Sequence, residues 1–180
     1  MAERLRRATG RRDARSRKVV FVPHCALNQN ARVAGAAESP AAMGALIAGL
    51  IEREIGIVQM PCPELCAYGL ERVEVDVERD LRSPAGRELC RRLAREQLHQ
   101  IKAYHDGGIR VLGILGKNGS PSCGVEDTWN AGPCPGRGAF IEELAAQIEG
   151  AGLAMEIAGA RDRELDRALA VVDRWLGSCG

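Results

Sequence analysis

The chain has 180 residues, of which 46% are hydrophobic and 27% are charged, the proportions of a globular protein. A net charge of +1 argues against nucleic acid or membrane surfaces as partners, and an aromatic content of 3% leaves few side chains to stack on bases. No apolar run approaches the roughly 20 residues that span a bilayer, and no hydrophobic signal region follows the basic start. We therefore expect a cytoplasmic protein.

The chain is expected to divide into a basic leader, residues 1–17, and a single α/β domain, residues 18–180. Up to Lys18 it holds eight Lys or Arg against two acidic residues. Because runs of charge are usually solvated, we interpret this segment as disordered. An RNA-binding arm or a transit peptide is the alternative.

Four short apolar runs predict strands, at residues 18–22, 55–60, 109–115 and 153–158. Helices are predicted to start at Ser39-Pro40 and Ser83-Pro84, where a capping serine precedes a proline, and further helices at Gly138 and near Leu165. Alternating strands and helices predict a Rossmann-like three-layer α/β fold with a four-stranded parallel sheet of order 2-1-3-4. Residues 71–79 (ERVEVDVER) alternate valine with charge, which predicts a solvated edge strand or a surface ribbon.

The positions of the cysteines give the first indication of function. Seven cysteines without an export signal make a poor disulfide framework. Three of them, Cys25, Cys62 and Cys123, each follow the end of a predicted strand. Parallel strands share one carboxyl edge, where ligands bind, so these thiols are expected to converge. Chance placement in three loops is the alternative.

Three converging thiolates would repel one another, and a bound cation removes that repulsion. Thiolates select zinc or iron–sulfur clusters. A structural zinc site usually has four ligands with closely spaced CxxC pairs, and this chain has no CxxC, although Cys62 and Cys66 form a looser pair. Three ligands would leave one coordination position open for chemistry.

Three blocks surround these cysteines: CALNQNARVAG (Cys25–Gly35), CPE (Cys62–Glu64, followed by Gly69-Leu70) and SPSCG (Ser120–Gly124). Together they resemble the bacterial thiouracil desulfidase (TudS)-related family, in the order and at the spacing of that family. The resemblance covers about residues 18–126, and the remainder is similar to a divergent subgroup of predicted desulfidases. The chain departs from the family pattern at three points. The family has a cysteine where this chain has Ala31, and Tyr-Asp where this chain has Val33-Ala34. This chain also carries an extra cysteine, Cys66.

The resemblance implies a 4Fe–4S cluster held by Cys25, Cys62 and Cys123, whose fourth iron takes the thiocarbonyl sulfur of a small substrate such as a thiolated pyrimidine. It also implies that Glu64 is the catalytic acid or base and Ser120 its proton-transfer partner. The chemistry is reasonable on its own terms, because a carboxylate two residues from a ligand can take a proton from an attacking water.

Other residues keep two interpretations each. Lys117, Asn118 and Ser122 are candidates for substrate binding, or else turn residues, as Ser120 also could be. Glu64 could be a helix N-terminal charge. Cys66 is interpreted as a rival ligand and Cys90 as a packing residue. Cys134 is interpreted as a loop thiol that covers the site or captures sulfur, and Cys179 as an inert terminal thiol. His24 is interpreted as a capping or packing group rather than a neighbour of the cluster.

Two other functions stay open at this level. One is a non-catalytic iron–sulfur or zinc module that senses redox state or stores sulfide, which for zinc would need a fourth ligand such as Cys66 or His24. The other is a thiol oxidoreductase working through Cys62 and Cys66, or through Cys123 and Cys134.

Overall fold

The computed structural model describes residues 13–72 and 77–178. Its strands are β1 (Lys18–Val22), β2 (Gly56–Gln59), β3 (Arg110–Lys117), β4 (Asp127–Trp129), β5 (Pro133–Pro135) and β6 (Ile157–Ala160). Its helices are α1 (His24–Leu27), α2 (Gly44–Glu52), α3 (Pro63–Tyr68), α4 (Val77–Leu81), α5 (Pro84–Asp106), α6 (Ala139–Gly150) and α7 (Leu165–Gly177), with a 3-10 turn at Gln29–Ala31. Within the described ranges no helix has the length and apolar character needed to cross a bilayer.

A parallel sheet of order β2-β1-β3-β6 lies at the centre. The predicted α/β class with three layers and a four-stranded sheet is confirmed. The fourth strand of the sheet is the sixth of the chain, because the short strands β4 and β5 pair with each other in a separate antiparallel hairpin.

The two faces of the sheet are covered by different helix pairs. Along β1, Val19 and Phe21 face one core, and Val20 and Val22 face the other, as the two-residue period of a strand requires. The first core is completed by α5 and α6, and the second by α2 and α7. Burial on both faces explains why β1 is apolar throughout.

Two predicted boundaries are wrong. β6 pairs with β3 only from Ile157 onward, whereas Leu153 and Met155 pack against the first core from an irregular segment. Their apolar character therefore reflects burial without strand pairing. The helix α2 begins at Gly44 and not at Ser39, because the Ser39 hydroxyl donates to the Ala42 carbonyl at 2.7 Å and caps no helix.

The predicted start of α5 is confirmed. The Ser83 hydroxyl accepts from the Gly86 N–H at 3.1 Å, and Pro84 is the first helical residue. This is the capping pattern that the sequence indicated.

The predicted surface ribbon at residues 71–79 is wrong in its described part. Arg72 is only 7% exposed, and the segment from Val77 belongs to α4. Residues 73–76 of that ribbon, residues 1–12 of the predicted leader and Cys179 lie outside the described residues.

The start of α6 is pressed against the loop that follows β3. The N–H groups of Ala139 and Phe140 donate to the carbonyls of Pro121 and Ser122, at 2.9 and 3.0 Å. A helix N-terminus has donors without partners inside the helix, and here the loop supplies acceptors for them. Gly138 permits the contact, because a Cβ at that position would lie 2.4 Å from the Ser122 carbonyl carbon.

Replacing Gly138 with alanine is therefore expected to destabilise the protein by about 1–3 kcal/mol, the usual cost of forcing a methyl group into a packed site. The free energy of unfolding of the metal-free protein, from urea titration, measures this change.

Gly150 provides the matched control, because it ends the same helix and a Cβ there meets no atom within 4 Å. Gly150→Ala should leave stability unchanged or raise it by at most about 1 kcal/mol, since alanine favours the helix. Equal stabilities of the two variants would contradict the packing described for Gly138.

Candidate active site

The loops that follow β1, β2 and β3 line one cavity, and each contributes a cysteine to it. Cys25 lies in α1, Cys62 immediately precedes α3, and Cys123 lies in the loop after β3. The order of the sheet places β1 beside β3 at the point where the chain reverses direction across the sheet, a common position for ligand sites in α/β folds. The shared cavity is a structural finding, and the role of the three thiols as ligands stays a prediction.

Cys62 is held in place by the start of α3. Its Sγ accepts a hydrogen bond from the Leu65 N–H at 3.4 Å, and Pro63 occupies the first helical position. Proline there loses no hydrogen bond and fixes the backbone angle at which the chain leaves the cavity. The same turn brings Glu64 to the cavity wall.

Cys123 is held by a tight turn. The Ser120 hydroxyl accepts from the N–H groups of Ser122 and Cys123, at 3.3 and 3.1 Å. The Lys117 N–H donates to the Cys123 carbonyl at 2.7 Å, which closes the turn onto the end of β3. Ser120 is therefore a turn residue, as one interpretation held, and it also reaches the cavity.

Glu64 is buried and hydrogen-bonded on both carboxylate oxygens. Its Oε1 accepts from the hydroxyls of Ser122 at 2.7 Å and Ser120 at 3.3 Å. Its Oε2 accepts from the Arg72 Nε at 3.4 Å. The Ser122 hydroxyl lies 3.5 Å from the Cys123 sulfur, so one chain of polar groups runs from the carboxylate to a thiol.

Arg72 is a site residue that sequence reasoning missed. Besides Glu64, its guanidinium binds the carbonyls of Ala31 at 2.5 Å and Gly69 at 2.8 Å. Nothing in the sequence indicated this burial, because Arg72 stands in a stretch of alternating charges that is typical of a surface.

Asp162 was also missed, and it pairs with two cations of the cavity. Its Oδ2 accepts from Lys117 at 2.9 Å and from Arg32 at 3.0 Å. Burial alone would raise the pKa of Asp162, but the hydrogen bonds and charges of Lys117 and Arg32 outweigh it, and the pKa lies below its usual value. Asp162 therefore holds both cations as the carboxylate. The sequence did not indicate Asp162 as a site residue, because it lies far along the chain from every predicted motif.

Asn118 lines the cavity, but its side chain serves the loop after β3. Its Oδ1 accepts from the N–H groups of Val125 and Glu126, each at 3.2 Å, and its Nδ2 donates to the Glu126 carboxylate. The Lys117 ammonium, which also lines the cavity, donates to the Asn118 carbonyl at 3.2 Å in addition to Asp162. Substrate binding by Lys117, Asn118 and Ser122 stays a prediction.

The environment of the three thiols disfavours free thiolates. Burial, together with the charge of Glu64, raises the pKa of Cys62 to about 12. Burial raises the pKa of Cys123 well above its ordinary value, and a charge on Cys62 or Cys25 would raise it further. Burial also raises the pKa of Cys25. Without a bound cation these side chains are neutral thiols near pH 7.

The donor set fits a cluster better than a single ion. Across residues 13–72 and 77–178, no three His, Cys, Asp or Glu side chains lie close enough together to hold one metal ion. A cluster accepts each sulfur on a different iron, so its ligands are spaced more widely than those around one ion. Three thiols on the walls of one cavity satisfy that requirement in chemical type and number.

The remaining candidates lie elsewhere or have other contacts. Cys66 is exposed, Cys134 is half-buried in β5, and neither lines the cavity. Cys90 is fully buried in the first core, as a packing residue would be. His24 reaches the cavity, and its Nδ1 lies 2.7 Å from the Gln59 amide nitrogen.

Comparison with known proteins gives two relatives. The chain is 26% identical over 135 residues to the Uncharacterized protein MJ0003 of Methanocaldococcus jannaschii, which covers 75% of this chain and 80% of that protein. It is similar in fold to a solved structure described as a [4Fe-4S]-dependent thiouracil desulfidase TudS (DUF523Vcz), with a TM-score of 0.50, 21% identity, and coverage of 86% of this chain and 97% of that one. No family model matches the chain. At these identities the solved structure shows a shared fold.

In metal-free protein, iodoacetamide at pH 8 is expected to alkylate the exposed Cys66 well before Cys25, Cys62 or Cys123. A thiol with a pKa of about 12 is ionised to only about one part in 10⁴ at pH 8, and the thiolate is the reactive form. Reactivity of Cys62 should then rise about tenfold per pH unit up to pH 12. Mass spectrometry of each labelled cysteine measures the rates.

Alkylation of Cys62 and Cys123 at the rate of Cys66 would contradict the burial described here. The control is the same labelling in partly denaturing urea. Unfolding exposes all of these thiols to water, so their pKa values should no longer be raised.

Proposed function

We propose that this chain is an iron–sulfur-dependent desulfidase and a distant member of the TudS-related family. In this proposal Cys25, Cys62 and Cys123 hold a 4Fe–4S cluster, and the reaction replaces the sulfur of a thiocarbonyl compound by oxygen from water. A thiolated pyrimidine is the substrate type that we propose to test first.

One observation carries the proposal. Three cysteines from three separate loops line the same cavity as a buried carboxylate, Glu64, whose hydrogen bonds come from serine hydroxyls beside Cys123. A structural metal site needs no acid or base, and a thiol redox site needs no third cysteine. The similarity in fold to a protein described as a [4Fe-4S]-dependent thiouracil desulfidase supports the same conclusion.

When bound, a 4Fe–4S cluster with an iron that lacks a protein ligand would supply a soft Lewis acid for the thione sulfur. The chain contributes the three thiolates, which ionise only when a cation compensates for their burial. Cys123 and Ser122 are almost fully buried, whereas Cys25 and Cys62 are only half-buried, so the cavity excludes bulk water mainly around Cys123.

Glu64 is proposed to accept the proton of the attacking water. Its Oε1 is already hydrogen-bonded to hydroxyl groups, which are the kind of donor that water would replace or join. Arg72 occupies the other oxygen, Oε2, which leaves Oε1 as the oxygen that faces the hydroxyls.

Ser120 and Ser122 are proposed to move that proton onward. Their hydroxyl oxygens lie 3.2 Å apart, and both contact Glu64. Ser122 also lies beside the Cys123 sulfur, so the pair connects the carboxylate with one of the three thiols that would hold the cluster. Lys117 and Asn118, on the same wall, are proposed to orient the ring of the substrate.

Part of the cavity lining is less polar than the family pattern predicts. This part includes Ala31, Val33 and Ala36, and the first two replace the cysteine and the tyrosine of that pattern. An apolar wall of small side chains would contact the face of a flat heterocycle without contributing to its hydrogen bonds.

Anaerobic purification should yield a coloured protein with about four iron and four sulfide per chain. Incubation with 2-thiouracil or 4-thiouracil should then remove the thione absorbance and produce the oxo compound. A colourless protein that contains zinc would support the metal-binding alternative, and turnover of disulfides without metal would support the oxidoreductase. Either result would refute the desulfidase.

Glu64→Gln is expected to lower kcat by about 10²–10⁴-fold, the usual contribution of a general base, while the iron content stays unchanged. The matched control is Glu88→Gln, because Glu88 is exposed on α5 and its ion pair with Arg91 lies on the surface of that helix. Wild-type turnover in the iron-loaded Glu64→Gln variant would remove that residue from the mechanism.

A further inference from the structure

We propose that Arg72 is the positioning residue of the site. Its guanidinium fixes the Glu64 carboxylate against the serine hydroxyls and joins the two loops that carry Cys25 and Cys62. The catalytic consequence of this inference rests on the proposed desulfidase function, whereas its structural consequence does not.

The contacts of Arg72 reach three acceptors in two separate parts of the chain. Its Nε donates to Glu64 Oε2, its Nη2 to the Ala31 carbonyl, and its Nη1 to the Gly69 carbonyl, at 3.4, 2.5 and 2.8 Å. Arg72 and Glu64 are both more than nine-tenths buried. The planar fork of a guanidinium can bind three acceptors at once, which the point charge of a lysine cannot reproduce.

These acceptors lie on the supports of the cysteines. Ala31 ends the 3-10 turn that follows the helix of Cys25, and Gly69 ends the helix that Cys62 begins. One side chain therefore sets the position of the carboxylate relative to both cysteine loops.

Arg72 acts through Glu64. The guanidinium occupies Oε2, while the hydroxyls of Ser120 and Ser122 occupy Oε1. This division leaves Oε1 directed toward the serines and turned away from the positive charge. Without Arg72, the carboxylate would lose the partner that fixes its second oxygen and would rotate away from the serines.

The structural test uses metal-free protein and needs no turnover. Crystal structures of wild type, Arg72→Lys and Arg72→Ala are compared for the distance between Glu64 Oε1 and Ser122 Oγ. This distance, 2.7 Å in the wild type, is expected to lengthen beyond hydrogen-bonding range in Arg72→Ala. An unchanged Glu64 in that variant would overturn the proposal, whatever the kinetics show.

The kinetic test uses iron-loaded enzyme, with kcat expressed per bound cluster. Arg72→Ala is expected to lower kcat about 100-fold with little change in KM, as displacement of a catalytic group does. Arg72→Lys should have an intermediate kcat. Ethylguanidinium should restore much of the activity of Arg72→Ala, whereas ethylammonium should not, because only the former reproduces the fork.

The outcomes separate this inference from the proposed function. A wild type without any thione turnover refutes the desulfidase and leaves the crystallographic test decisive for Arg72. An active wild type with equally active Arg72 variants refutes the positioning role alone. Loss of activity that follows loss of iron, without rescue by ethylguanidinium, would mean a merely structural role and would also refute it.

Arg53→Met is the control for removal of a paired arginine. Arg53 binds Asp173 on the opposite side of the second core, at 2.6 and 2.9 Å, and does not line the cavity. If fold stability alone governed activity, this variant and the Arg72 variants would lose activity in proportion to the decrease in their melting temperatures.

Discussion

The site depends on the electrostatic cost of gathering three thiols and a carboxylate at one edge of a sheet. Burial is the main cause that raises the pKa of Cys25, Cys62 and Cys123, and the negative charge of Glu64 raises each of these pKa values further. The chain offsets part of that cost with fixed cations. Arg72 lies on Glu64, while Lys117 and Arg32 share the single carboxylate of Asp162. The cations reduce the repulsion but do not ionise the thiols, and a further positive group would be needed for that. The proposed iron–sulfur cluster would be such a group, which is the physical argument for that proposal.

Geometry at the site is fixed by packing that involves no metal. The turn that carries Cys123 is bound on one side to the end of β3 and on the other to the N-terminus of α6, whose free N–H groups need acceptors. Gly138 allows the helix to approach closely enough. On the opposite wall, Cys62 forms the cap of α3, so the thiol and Glu64 are placed by the same turn. A site built on strand ends and helix starts holds its side chains more rigidly than one on long loops, which is what proton transfer over hydrogen-bond distances requires.

The topology and the three cysteine loops could be predicted because they follow from local rules. Strand periodicity, the Ser83-Pro84 cap and the shared edge of parallel strands depend only on neighbouring residues and on handedness. The two missed site residues depend on long-range contacts. Arg72 is buried because Ala31 supplies a carbonyl to it from 41 residues away, and Asp162 is a partner of Arg32 from 130 residues away. The start of α2 was predicted wrongly for a different reason. A serine hydroxyl can donate to a carbonyl as well as accept from an N–H, and the sequence around Ser39 does not distinguish the two.

The two missed residues have a common consequence for how the site assembles. Both carry charged side chains with little exposure, and their contacts reach other segments: Arg72 binds the Ala31 carbonyl, and Asp162 binds Arg32 and Lys117. A buried charge without its partner costs several kcal/mol, whereas the completed pairs roughly balance their desolvation. The penalty therefore falls on partly assembled arrangements of the loops. These arginine, lysine and carboxylate contacts therefore favour the arrangement in which the cysteines face one cavity, and none of the contacts involves a metal.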